Sequence, residues 1–232
     1  MLLNALDHVA LWVAGRDAVA GFATAHLGMH VIERTDKFTL LGAEARRGKL
    51  TLFEADGPRE RGALKHVALR VPDVGAAADE LPSGLAVERG PGGIYFEVGE
   101  GLRLGLVESA DSVPYDLDHV ALFSESPRDT ADRWVPLGFE AAPAGESGAP
   151  RVEAGGAFVE FHGGAPGDPE RPLLNHLGVL VDSADDWRAN ADDLGVEVAD
   201  VVDAPNTYAV FVWGPERVKL EYVEHKPTFS LV

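Results

Sequence analysis

Polar and apolar side chains alternate and then yield to an apolar run at four points along this 232-residue chain. The points are Leu6-Asp7-His8-Val9-Ala10-Leu11, Leu64-Lys65-His66-Val67-Ala68-Leu69, Leu117-Asp118-His119-Val120-Ala121-Leu122 and, in relaxed form, Leu174-Asn175-His176-Leu177-Gly178-Val179. Such alternation marks a half-buried strand. The four histidines recur at intervals of 58, 53 and 57 residues, a period that signals repeated supersecondary units. Each histidine holds the same phase in its strand, so all four should face the same side of their sheets.

Behind each of these strands the pattern shifts from period two to helical spacing and back again. In the first unit a strand over 6–13 precedes a helix over 18–27, closed by Gly28, and strands over 29–33, 38–41 and 50–54. The second unit starts at 64, with a helix near 74–81 and strands near 85–88, 94–98 and 102–107. Its Gly90-Pro91-Gly92-Gly93 tract reads as a tight connection; without a following helix it is no phosphate cradle. The third unit has its strand at 117, a helix over 127–137 ended by Gly138, and strands over 139–142, 151–153 and 157–162. The fourth has a strand over 174–181 and a helix over 184–194, capped by Asp182 or Ser183 and closed by Gly195. Strands over 196–202, 208–213 and 218–223 complete it, with Gly214-Pro215-Glu216-Arg217 as a turn.

The order β-α-β-β-β, four times over, predicts an α+β chain. A single unit cannot cover its own sheet, so the first is expected to pair with the second and the third with the fourth. That gives two tandem domains, each a curved, open mixed sheet (a half-open barrel) with helices outside. The N-terminal domain would span 1–111, from modules 1–56 and 64–111. The C-terminal domain would span 117–232, from modules 117–163 and 174–225, with the proline-broken stretch 111–116 as linker.

Composition narrows the function. Hydrophobic content of 46% and charged content of 25% are those of a globular protein, and no apolar run approaches the roughly 18 residues needed to cross a bilayer. The net charge of −18, spread along the chain, repels phosphate backbones and anionic membranes, which argues against nucleic acid and membrane partners. There is no cysteine, so thiolate metal sites, disulfides and a cysteine nucleophile are excluded. The N-terminus has no signal-peptide pattern, and the cytoplasm is the default location.

Histidines and carboxylates therefore carry the candidate chemistry. Imidazole nitrogens bind Zn²⁺, Fe²⁺, Mn²⁺ or Ni²⁺, and two histidines with one carboxylate leave coordination positions open. Aligning the last strands of the four units puts Thr51, Gly105, Glu160 and Glu221 at one inward position. Glu54, Glu108 and Glu224, three residues further on, fall on the opposite face as solvated strand-end charges. The C-terminal half thus offers His119, Glu160, His176 and Glu221, and a metal is expected there. His8 and His66, without an inward carboxylate, are expected to fill interior positions of a vestigial half. Phe211 and Trp213 suit an aromatic ligand in the same cleft, with Phe161 and Tyr208 nearby.

Four such modules, with histidine on the first strand and glutamate on the last, resemble the vicinal oxygen chelate superfamily: glyoxalase I, methylmalonyl-CoA epimerase, the fosfomycin and bleomycin resistance proteins, and type I extradiol dioxygenases. The resemblance covers nearly the whole chain. Four modules with a vestigial N-terminal half look most like the extradiol dioxygenases, which implies His119, His176 and Glu221 as ligands of Fe²⁺ or Mn²⁺, with a catechol and O₂ as partners. Three positions depart from that pattern. The dioxygenases' second histidine falls at Ala157 and their tyrosine at Phe211, leaving His162 or Tyr208 as substitutes, and Glu160 is an added carboxylate. A His-Glu-His-Glu set is instead similar to glyoxalase I, which implies Zn²⁺, Ni²⁺ or Co²⁺ and isomerisation, with Glu160 or Glu221 as base. A sequestering protein that binds without turnover is the third alternative. The resemblance also allows a homodimer.

Overall fold

The computed structural model describes residues 1–109 and 113–232, so part of the expected linker, Asp111 and Ser112, lies outside the described residues. The first module comprises β1 (Ala5–Val13), α1 (Arg16–His26), β2 (His30–Arg34), β3 (Phe38–Gly42) and β4 (Lys49–Glu54). The second comprises β5 (Leu64–Val71), α2 (Val74–Asp79), β6 (Val87–Gly90), β7 (Gly93–Gly99) and β8 (Leu102–Glu108). The third runs through β9 (Leu117–Ser124), α3 (Pro127–Trp134), a 3₁₀ turn (Val135–Leu137), β10 (Glu140–Ala142), β11 (Arg151–Ala154) and β12 (Ala157–Gly163). The fourth runs through β13 (Leu174–Leu180), α4 (Ala184–Ala189), α5 (Ala191–Leu194), β14 (Val198–Asp203), β15 (Thr207–Trp213), a 3₁₀ turn (Pro215–Arg217) and β16 (Lys219–His225). The α+β class and the fourfold β-α-β-β-β order are as the periodicity predicts. Ser183, one of the two expected caps, accepts from the Asp186 amide at 3.2 Å.

The partners differ from expectation. One eight-stranded sheet runs β14-β15-β16-β13-β1-β4-β3-β2, and the other runs β10-β11-β12-β9-β5-β8-β7-β6. The first module is therefore joined to the fourth, and the second to the third. The two halves 1–111 and 117–232 each contribute one module to each sheet. In the 1–4 sheet the seam is β1 against β13, antiparallel; in the 2–3 sheet it is β5 against β9, also antiparallel. The cause is that all four central strands carry the same motif. That motif sets phase and register, but it is equally satisfied by any of its copies and cannot name the partner.

One face of each sheet is covered by helices. Val9 and Leu11 of β1, Leu50 and Leu52 of β4, and Val19, Ala20 and Ala23 of α1 belong to one apolar cluster, which continues through both sheets. The sheets are tied where the third module meets the fourth. Trp187 stacks on Tyr222 at 4.2 Å and 8°, and the Tyr222 hydroxyl donates to the Leu137 carbonyl at 3.1 Å. Gly138 ends the 3₁₀ turn at φ +97, and a methyl group there would overlap Trp187, so both backbone and packing require glycine. Among the described residues no helix is long and apolar enough to cross a membrane. The other face of each sheet carries the histidines.

Candidate metal centre

The seam of the 1–4 sheet fixes the donors. His176 stands opposite Ala10 and His8 opposite Gly178, two residues along, so both imidazoles leave the sheet on one side. Parallel pairing of β13 with β16 sets Glu221 beside Gly178, on the same face. His8 Nε2 lies 3.0 Å from His176 Nε2 and 3.0 Å from Glu221 Oε2, and His176 Nε2 lies 2.8 Å from the same oxygen. Three donors around an ion at about 2.1 Å, mutually at right angles, are separated by about 3.0 Å. The observed triangle has those edges, and His8, His176 and Glu221 form the group that could hold a metal ion. The fourth register position, beside Ala10 on β4, is Thr51.

A supporting shell orients the donors. His8 Nδ1 donates to Asp7 Oδ1 at 2.7 Å, and His176 Nδ1 donates to Asn175 Oδ1 at 3.1 Å, which directs each Nε2 lone pair to the triangle. The Lys49 ammonium donates to Asp7 Oδ2 at 2.9 Å, and His225 Nε2 lies 3.2 Å from that oxygen. Phe229, from the C-terminal tail, stacks on His225 at 4.1 Å and closes this network from outside. Gly178 matters by what it lacks: a methyl group there would overlap the His8 ring.

The charges are arranged as if around a cation. Burial disfavours the imidazolium of His8, but the Glu221 and Asp7 carboxylates outweigh that and raise its pKa to about 9. Burial likewise opposes ionisation of Glu221, yet His8 and His176 hold it down to about 2. His176 is lowered, first by burial. Asp7, despite burial, lies well below the usual carboxylate range because of Lys49, His225 and His8. A proton on His8 thus supplies the positive charge that two carboxylates in this site require.

Aromatic rings line the approach. Phe211, opposite Glu221 on β15, lies 5.1 Å from the His176 ring, and Phe53 lies 6.2 Å from it on the other side. Trp12 packs on Phe53 at 5.2 Å. Beyond them opens a cleft of about 460 Å³ whose lining includes Trp12, Asn175, Trp213 and Lys219. Phe211 and Trp213 thus lie on the approach to the triangle in the 1–4 sheet.

Other expected residues lie elsewhere. His119 does not meet His176; it sits in the 2–3 sheet, its Nε2 2.9 Å from His66 Nε2. Glu160 and His162 are in that sheet too, because β12 pairs with β9. Tyr208 is three residues from Phe211, so it points to the opposite face, where its hydroxyl donates to Asp185 at 2.7 Å. The expected set His119, His176, Glu160 and Glu221 is thus split between two sheets, and the partner exchange brings His8, expected as filler, into the group that could hold a metal ion. Gly178, in the relaxed fourth copy of the motif, was the visible signal of that role. Asp7 stood in the motif, whereas nothing in the sequence pattern marked Lys49 or His225.

The 2–3 sheet repeats the register without assembling the triangle. His119 stands opposite Ala68, His66 opposite Ala121, and Glu160 beside Ala121. His119 Nδ1 donates to Asp118 at 2.7 Å, whereas His66, preceded by Lys65, has no partner for Nδ1 among the described residues. Glu160 accepts from Ser147 at 3.0 Å and from His162 at 3.3 Å, and it does not come within 4.8 Å of both imidazoles. Burial and the neighbouring charges of His119, Lys65, His162 and Arg103 push His66 down to about 2.

Fold, register and donor set together define a class. Residues 5–111 match the family model of the Glyoxalase/Bleomycin resistance protein/Dioxygenase superfamily. Among solved structures, a putative dioxygenase from Bacillus subtilis subsp. subtilis str. 168 aligns with TM-score 0.82 at 16% identity, over 98% of this chain and 87% of that one. Glyoxalase I from Zea mays aligns with TM-score 0.74 at 16% identity, over 95% and 92%. The cppA protein from Streptococcus pneumoniae TIGR4 aligns with TM-score 0.60 at 17% identity, over 96% and 99%. No curated protein sequence matches the chain.

Proposed function

We propose that this chain is a divalent-metal-dependent enzyme of the ring-cleaving dioxygenase kind, acting on a small catechol-type aromatic with O₂. The observation that carries the reading is the donor set: two imidazoles and one carboxylate within 3.0 Å of one another, with Thr51 at the fourth position. Two histidines and one carboxylate with open positions are the ligand type of non-haem Fe²⁺ oxygenases. Bound there, Fe²⁺ or Mn²⁺ would supply Lewis acidity and redox capacity toward a vicinal diol and O₂.

The remaining work falls to the chain. Asp7 and Asn175 hold the two imidazoles in the tautomer that offers Nε2. Phe53 and Phe211 flank His176 with flat apolar surface, which suits an aromatic ring and excludes water. Lys219, two residues before Glu221 on the same face, offers a cation to a catecholate. The Bacillus subtilis protein that shares this fold is described as a putative dioxygenase, in line with this reading. Isomerisation of the glyoxalase kind asks for a second carboxylate as base, and the corresponding position holds Thr51 while Glu160 lies in the other sheet.

The test is reconstitution with Fe²⁺ or Mn²⁺ under argon, followed by O₂ uptake on a panel of substituted catechols. Stoichiometric O₂ consumption, with a new visible absorbance from the opened ring, is the expected result. Metal-loaded protein that consumes no O₂ on the panel but isomerises a hemithioacetal would move the assignment to the lyase branch. Protein that takes up no divalent metal would leave neither.

A further inference from the structure

We infer that the cleft of the 2–3 sheet is a binding site for a small organic oxyanion, a carboxylate or phosphate ester on a flat body, and that it works without a metal. The inference does not depend on the chemistry assigned to the 1–4 sheet. The cleft has a volume of about 400 Å³, which suits a small ligand. Arg61, Lys65, Arg89 and Arg103 line it, against the single carboxylate of Glu160. Arg103 is paired with Glu88 at 2.6 Å and Arg61 lies 3.8 Å from Glu97, so Lys65 and Arg89 are the cations in excess, in a chain of net charge −18. The cleft beside the metal centre differs, since Arg59, Arg171, Arg217 and Lys219 there face Glu54, Asp56 and Glu170.

Glu160 does not neutralise Lys65 and Arg89, since it also lies 3.8 Å from Arg151. The Lys65 ammonium donates to His162 Nδ1 at 2.9 Å, which leaves the His162 Nε2 proton for Glu160 at 3.3 Å, and Ser147 donates to the same carboxylate oxygen. Arg89 makes no hydrogen bond or ion pair among the described residues. His66 lines the same cleft at 5% exposure, its Nδ1 without a partner among the described residues. The apolar part of the cleft is also built. Tyr95 lies over Gly105, where a methyl group would overlap its ring, and its hydroxyl donates to the Pro91 carbonyl at 2.9 Å. Arg103 stands 5.5 Å from the centre of that ring. A flat ligand resting on Tyr95 would bring its anionic group to the guanidinium fork of Arg89, which matches carboxylate or phosphate oxygens in pairs, and to the Arg103 donors that Glu88 does not take.

Calorimetric titration of the full metal-loaded chain tests this with phthalate, phenyl phosphate and the neutral dimethyl phthalate. Saturable binding of at least one anion, one per chain, weakening with salt and absent for the neutral ester, is expected. The stronger of the two anions identifies the preferred headgroup. R89E and R103E change partly or fully exposed side chains and should keep the melting profile, while each lowers affinity about tenfold or more. His8→Ala should leave anion binding unchanged. Absence of saturable binding by either anion overturns the inference. So does binding that survives R89E and R103E but is lost in His8→Ala, because the metal centre would then be the site.

Discussion

Under the imidazole of His8 stands Gly178; under that of His66 stands Ala121, in the same register of a sheet built from the same motif. In the 1–4 sheet the ring settles against bare backbone, and three donors close to 3.0 Å. In the 2–3 sheet the two imidazoles are equally close, at 2.9 Å, but the carboxylate is turned to Ser147 and His162. One histidine there also lacks the acceptor that would set its tautomer. The comparison teaches that a repeated motif supplies the positions of donors, whereas their convergence depends on single residues around the motif: a glycine, an aspartate, and the absence of competing partners for the glutamate.

The largest expected effect breaks the comparison at the carboxylate. Glu221→Gln removes a donor and its charge, and should lower affinity for Fe²⁺ or Mn²⁺ by more than about a hundredfold, beyond the range of supporting-shell losses. Glu160→Gln, at the matching position of the other sheet, should leave metal affinity unchanged within about twofold. Metal titration of the two variants against a fluorescent chelator checks the pair. Equal losses would mean that the two sheets share an ion after all.

Next in size is pH. With its pKa raised to about 9, His8 is protonated at neutral pH, and a metal must displace that proton. The raised value means that the proton stabilises the empty site below about 9 and competes with the ion throughout that range. Affinity should therefore fall about tenfold for each unit of acidification below about 9, and roughly one proton should appear in solution for each ion taken up. Calorimetry in buffers of different ionisation enthalpy counts that proton. A pH-independent affinity between 7 and about 9 would refute the arrangement of charges around His8.

Gly178→Ala should come third. The added methyl overlaps the His8 ring, which must swing away from the triangle, so metal affinity should fall between about ten- and a hundredfold. The melting temperature of the metal-free protein should change little if the ring finds another rotamer. Ala121→Gly, the reverse change in the other sheet, should not create metal affinity, because Glu160 remains bound to Ser147 and His162. If it did, the glycine alone would account for the contrast between the sheets.

Why the fold was legible and the site only half so can be seen at these same residues. The period-two strands, the spacing of Val19 and Ala23, and the closing glycines Gly28 and Gly138 are local signals, and local structure followed them. The inward phase of Glu160 and Glu221 was equally local, and both face the histidine side of their sheets. Partner choice is a different kind of information. Leu6–Leu11 and Leu117–Leu122 are identical in all six residues, so the edge of β13 could be matched by either. What separates the alternatives lies outside the motif, in contacts between residues far apart in sequence, such as the Tyr222 hydroxyl on the Leu137 carbonyl, which no short motif contains.

The smallest effect is the one that reads most deeply into the comparison. Asp7 and Asp118 make the same 2.7 Å contact to the Nδ1 of their histidines, but only Asp7 stands behind a donor of the triangle. Asp118 is also bound by Arg70, at 3.1 Å, and Asp7 by Lys49 and His225. Asp7→Asn removes a negative charge that makes His8 a better base, and thereby a better ligand, so affinity for the metal should fall about tenfold where His8 is unprotonated. The same change lowers the pKa of His8, because Asp7 is one of the groups that raise it. At pH 7 less proton then has to be displaced, which offsets part of the loss. The deficit of Asp7→Asn should therefore be larger above pH 9 than at pH 7, and a pair of metal titrations at those values measures it. Asp118→Asn should show no metal deficit at either pH. A deficit for Asp7→Asn that is constant with pH would show that the aspartate only holds the ring in place and contributes nothing to its basicity.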